Sequence, residues 1–113
     1  MIKKYYDDDE FQKIIDLLEP NPYRCIELLE EYVKKYPCDY YGRIFYALAL
    51  TRVCEFKKAE NEYNIVAKNI KNDDFYNGNQ HKNIEGFKYY MLMVKIKILA
   101  WHEKYQEILC LNL

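Results

Sequence analysis

The apolar residues of this chain recur with the period of an α-helix, in segments that begin with a capping residue and end at a proline or a turn. In the first segment they fall every third or fourth position, at Phe11, Ile14, Ile15 and Leu18. Asp7, followed three residues later by Glu10, has the form of a capping box at the start of a helix. Pro20 ends that helix, because it lacks the amide that an inner turn needs.

The second segment has its own start and stop signals. Asn21 can cap a helix, and Pro22 suits the first turn, where no amide donor is needed. The helix is predicted to run to about Tyr36, where Pro37 disfavours a further helical residue.

Two further helices follow, joined by a tight turn. Asp39 caps the first of them, which is predicted over 40–54, and residues 44–50 at its centre are apolar on every side. Such a helix needs neighbours on several faces. The next helix is predicted over 56–71.

Asn, Asp and Gly cluster in residues 72–83, which predicts a loop. A fifth helix is predicted from Ile84 to Trp101, and a short sixth helix from Lys104 to the last residue of the sequence. The sixth helix is too short to cover the fifth. We therefore expect Leu109, Leu111 and parts of the helix over 91–101 to be covered by another chain or by residues missing from this sequence, which makes self-association through Leu109 and Leu111 a hypothesis.

Residues 21–36 and 55–70 repeat each other thirty-four positions apart. The matched pairs are Cys25 with Ala59, Leu29 with Tyr63, Val33 with Ala67, and Tyr36 with Ile70. A fixed period of this length is typical of stacked helix pairs. The prediction is an all-α fold, an antiparallel helix-hairpin array of about three pairs in a single domain, 1–113, with pairs at about 8–36, 40–71 and 84–113.

The second pair resembles a tetratricopeptide repeat (TPR), a helix hairpin with a small residue at each close crossing. The residues that carry the resemblance are Tyr46, Ala47, Leu50, Phe56, Ala59 and Tyr63, with looser matches at Cys25, Leu29, Pro37 and Tyr105. Arg43 and Lys71 depart from the family pattern, which expects a large apolar residue and a proline there.

The resemblance implies that the first helix of each pair lines a concave groove that holds a protein or peptide. On this chain the corresponding positions are Tyr41, Ile44, Leu48, Thr51, Tyr90, Met93 and Lys97. Most are apolar, which favours a partner helix or extended segment over a charged peptide terminus. The expected function is non-catalytic protein–protein interaction. The alternatives are a self-assembling homodimer and a small regulatory or immunity-type protein that blocks a partner enzyme.

Composition further limits the ligands, the cellular compartment and the membrane contacts to expect for this chain. The net charge of −1 gives no basic excess for nucleic acid, although Lys88, Lys95, Lys97 and Lys104 lie among aromatic residues on the predicted fifth and sixth helices. The four cysteines form no Cys-x-x-Cys pair and the N-terminus has no apolar signal core, so we expect reduced thiols in the cytoplasm. No apolar run is long enough for a membrane span.

Catalytic and metal chemistry have little support in the residue pattern. His81 and His102 are the only histidines, and no second Cys or His near His102 and Cys110 completes a zinc site of familiar spacing. A hydrolase using Cys and His is a remote alternative, since nothing marks a cysteine as activated. Cys25 and Cys54 are expected to pack at helix contacts. We therefore expect no enzymatic activity, no metal and no cofactor.

Overall fold

The computed structural model describes residues 7–69 and 84–111, the last eight of these as backbone only. These residues form five helices and no strand, so the all-α prediction is confirmed. The helices are α1 (Asp8–Ile15), α2 (Pro22–Lys35), α3 (Tyr40–Arg52), α4 (Phe56–Asn69) and α5 (Ile84–Leu111). The predicted loop at 72–83 lies outside the described residues.

The first three helices begin where the sequence predicts. Asp7, Asn21 and Asp39 each accept a hydrogen bond through the side chain from the amide three residues on. Such a bond satisfies one of the amides that a helix start leaves without an intrahelical partner. Helix α1 ends at Ile15, earlier than predicted, so Leu18 lies outside it, and α2 ends at Lys35, before Pro37.

The prediction of a break between a fifth and a sixth helix was wrong. Residues 84–111 form one continuous helix, so the third predicted pair is a single long α5. The physical reason is the lack of a stop signal. The junction at His102, Glu103 and Lys104 contains no proline or glycine, and Glu and Lys are good helix formers.

Helix α3 lies at the centre of the fold and packs against α2, α4 and α5. Phe11 of α1 also reaches it, with ring centroids 5.7 Å from Tyr41 and 5.3 Å from Phe45. Every residue of α3 from Ile44 to Thr51 is buried. Helix α3 is therefore the core element that the other four helices cover.

Small residues lie where α3 and α4 pack together. Ala47 and Ala59 are both fully buried, as predicted for positions at close helix contacts. Cys25 is also fully buried. Cys54 departs from the prediction, because it is exposed in the turn between α3 and α4 with a backbone φ of 63°.

Candidate functional site

Four of the residues predicted to line a concave groove lie in the core instead. They are Tyr41, Ile44, Leu48 and Thr51, none of which is more than 9% exposed. Their spacing places them on one face of α3. That face is covered by the chain itself: Tyr41 contacts Phe11 of α1 as well as Phe87 and Tyr90 of α5. A partner cannot reach these residues in the folded domain.

The other three predicted groove residues lie on α5. Tyr90, Met93 and Lys97 are each half-buried. The ring of Tyr90 packs on Phe45 of α3 at 4.4 Å between centroids, so Tyr90 anchors α5 to the core. The structure therefore does not bring the seven residues together in one open groove. The side chains of Leu109 and Leu111 are outside the described part of the chain.

The largest exposed apolar feature of the described residues lies on the outer side of α5. Its inner face carries the buried residues Phe87, Val94 and Ile98. The outer face carries four large apolar side chains, each more than half exposed: Tyr89 (58%), Leu92 (57%), Ile96 (55%) and Leu99 (55%). Their spacing of three, four and three residues aligns them along one side of the helix. We call these four residues the α5 stripe.

A shallow groove continues the α5 stripe toward α4. It has a volume of about 140 Å³ and is lined by Glu60, Tyr63, Asn64, Lys95, Ile98 and Leu99. We call it the α4–α5 groove. Leu99 belongs to both features, so a partner that covers the α5 stripe can also contact α4.

Two contacts between α4 and α5 hold the groove in place. Phe56 and Trp101 stack with their ring centroids 5.5 Å apart and their planes 12° from parallel. Beside them, His102 Nε2 lies 2.7 Å from Glu60 Oε2. The hydrogen bond from His102 is the main cause that lowers the pKa of the Glu60 carboxyl. This Glu60–His102 pair fixes α5 against α4 at the end of the α5 stripe.

A second cavity, of about 370 Å³, lies between α2, α3 and α4 and is lined by both charged and apolar side chains. Its charged groups pair mainly with each other: Arg43 Nη1 donates to Glu62 Oε2 at 2.7 Å, and both side chains are mostly buried. Burial raises the pKa of Tyr46, although the neighbouring Lys58 opposes that rise. The Arg43–Glu62 pair explains the Arg43 departure from the repeat pattern, because it ties α3 to α4. This cavity therefore has a structural role.

The described cysteines differ in their environments. Burial raises the pKa of Cys25 to about 11, and its Sγ donates a hydrogen bond to the carbonyl of Ile14 at 3.3 Å. Because the thiolate is the nucleophile, Cys25 is unreactive at neutral pH. Cys38 and Cys54 are exposed to solvent. Among the side chains that the structure describes, no three from His, Cys, Asp or Glu are grouped closely enough to bind a metal ion.

No family model, curated protein or solved structure matches this chain. Of the helices that the structure describes, none combines the length and the apolar character needed to cross a membrane.

Reasoning from the sequence predicted that parts of the helix over 91–101 need cover but did not name the four residues of the α5 stripe, although a signal for them exists. Residues 87–101 contain two apolar series that lie on different sides of the helix. One comprises Phe87, Val94 and Ile98, and the other comprises the α5 stripe. Two such series on one helix mean two apolar faces. Only the packing of α5 decides which face is left in solvent.

Proposed function

We propose that this protein is a non-catalytic protein-interaction module and that it binds its partner through the α5 stripe. The observation that supports this proposal is the exposure of four large apolar side chains in a row. Isolated exposed apolar residues are normal on a protein surface, but contiguous ones usually mark a contact with another molecule. The proposed surface replaces the concave groove that the repeat resemblance implied.

The size of the α5 stripe limits the strength of this contact. Fully burying one such side chain contributes about 1.5–3 kcal/mol, and roughly half of each is already covered. The four residues together then contribute roughly 4 kcal/mol, which is only about millimolar affinity before the costs of association. We therefore propose that the partner also fills the α4–α5 groove, and that the interaction is transient unless further contacts add to it.

A second copy of the chain is the alternative occupant. Two copies that cover each other's α5 stripe would form a homodimer without any other protein. Light scattering on purified protein distinguishes the two possibilities, since the module proposed here remains a monomer until its partner is added.

Site-specific photo-crosslinking tests the proposal. A photoreactive amino acid at Ile96 is compared with the same amino acid at Tyr23, which is 67% exposed on α2. In cells of the source organism, the Ile96 probe should form a discrete protein adduct, and the additional substitution Leu92→Glu should abolish it. Equal adducts from both positions, or none from Ile96, would show that the α5 stripe is not the docking surface.

A further inference from the structure

Four charged side chains follow the α5 stripe, and their order carries information about the partner. Glu85 and Glu103 lie in line with the stripe, four residues before Tyr89 and four residues after Leu99. Lys88 and Lys95 lie along one edge of the stripe, because they are seven residues apart: Lys88 is next to its first residue and Lys95 is near its centre. All four are exposed. A basic edge therefore runs beside the α5 stripe from its start to its centre, and an acidic residue lies beyond each end.

The shape of the surface favours a helix as the segment that binds to it. The α5 stripe extends over ten residue steps of a straight helix, or about 15 Å at 1.5 Å per residue. The α4–α5 groove runs beside it between two packed helices. Apolar helix faces in this fold pack against other helices, as α3 does against α2, α4 and α5. An amphipathic helix of about three turns with apolar residues every three or four positions matches both features.

The charge order disfavours a second copy as that helix. If two α5 stripes pair antiparallel, with Tyr89 against Leu99, then Glu85 faces Glu103 of the second copy and the two Lys95 side chains meet. If they pair in parallel, each glutamate faces its own equivalent. Like charges therefore meet in both orientations, and directly opposed like charges are destabilising.

We propose that the α5 stripe and the α4–α5 groove bind an amphipathic helix of a different protein, with acidic residues along one edge of its apolar face. The acidic residues pair with Lys88 and Lys95, neither of which forms an ion pair with another described residue. This inference rests on the proposed function, because it specifies the partner of the same surface.

Two synthetic helical peptides test the partner chemistry directly. Both carry leucines at positions i, i+3, i+7 and i+10; one has two glutamates seven residues apart along one edge of the leucines and the other has lysines there. Binding to the purified protein is followed by fluorescence anisotropy. The acidic peptide should bind roughly tenfold more tightly at low salt, since several attractive surface ion pairs replace repulsive ones. High salt should reduce that ratio.

Charge reversal on the protein provides the matched control. Lys88→Glu combined with Lys95→Glu should invert the preference between the two peptides. Lys13→Glu combined with Lys34→Glu changes the net charge equally, but at exposed positions on α1 and α2, and should leave the preference unchanged. Circular dichroism confirms that each variant remains folded.

Each of the other possible results would reject a specific part of this proposal. Equal binding of both peptides, lost on Ile96→Glu, would reject the acidic partner and keep the α5 stripe as a docking surface. Binding of neither peptide would reject the helical partner. A dimer of the free protein that Leu92→Glu dissociates would identify a second copy as the occupant. Binding to phosphatidylserine vesicles, lost with the same substitution, would identify a membrane surface and overturn the protein-interaction proposal as well.

Discussion

Helices α3 and α5 have similar apolar character, but the apolar residues of α3 are buried whereas one apolar face of α5 is exposed. Both carry large apolar residues on more than one face. Helix α3 is covered on all sides, so its residues from Ile44 to Thr51 are buried. Helix α5 packs on α3 and α4 with one face only and keeps the α5 stripe in solvent. The position of a helix in the array, rather than its composition, therefore determines whether its apolar residues stabilise the fold or remain available for binding.

The largest expected difference between the two helices comes from removing a leucine side chain. Leu48→Ala in α3 should lower the free energy of unfolding by about 2–5 kcal/mol, because it leaves a cavity in a packed core. Leu92→Ala in α5 should change it by less than about 0.5 kcal/mol, as at other surface positions. Urea denaturation of both variants measures this contrast. Similar losses would mean that the outer face of α5 is covered within the chain.

The hydroxyl groups of a buried and an exposed tyrosine provide the second comparison. Tyr32 donates a hydrogen bond to the fully buried Asp39 at 2.6 Å, and its hydroxyl also accepts one from the Asp7 amide at 3.1 Å. Tyr32→Phe should cost about 1.5–3 kcal/mol, since it leaves both groups short of a partner. Tyr89→Phe on the α5 stripe should be neutral within about 0.5 kcal/mol. Thermal melts of both variants test the difference, and an equally stable Tyr32→Phe protein would contradict it.

Adding volume tests the same contrast in the opposite direction. Ala59→Leu should destabilise the domain by about 1–3 kcal/mol, because the contact between α3 and α4 has no room for additional methylenes. Ala100→Leu makes the same chemical change at an exposed position on α5 and should have little effect. The melting temperatures of the two variants give the result. An unchanged melting temperature for Ala59→Leu would place Ala59 away from a close contact.

The smallest expected effect concerns the Glu60–His102 pair that joins α4 to α5. The pKa of Glu60 is lowered in the folded state from its ordinary value of 4.5. Its contribution to stability is therefore present above that value and is lost as the pH falls through the lowered pKa. Glu60→Gln should reduce the loss of stability on acidification by under about 1 kcal/mol. Glu85→Gln serves as the control, and an equal reduction there would remove the special role of the Glu60–His102 pair.

Local rules explain which parts of the fold were predictable. Asp7, Asn21 and Asp39 act only on the amides a few residues ahead, so the starts of α1, α2 and α3 could be read directly from the sequence. The burial of Ala47 and Ala59 was expected from the repeat resemblance, because both are small residues at positions where two helices cross closely. The single helix α5 was harder to predict, because its continuity depends on the absence of a stop signal near His102.

The candidate site depends on contacts between elements distant in sequence. Tyr41 is inaccessible because α5 packs across it, although α5 begins more than forty residues later. The exposure of the α5 stripe likewise follows from which face of α5 meets α3. No local sequence pattern determines which face of α5 meets α3. The wrong placement of Cys54 has a similar origin, since the tight turn carries its side chain away from the helix contact.

The central position of α3 also determines how the domain opens. In a linear array of helix pairs, each unit contacts only its neighbours, and terminal units can unfold independently. Here α3 contacts all four other helices. Separating α3 from any two of them exposes the shared core, so the five helices should unfold as one cooperative unit. Hydrogen exchange would then report one common opening free energy for the slowest amides of α2, α3 and α4, instead of a gradient along the chain.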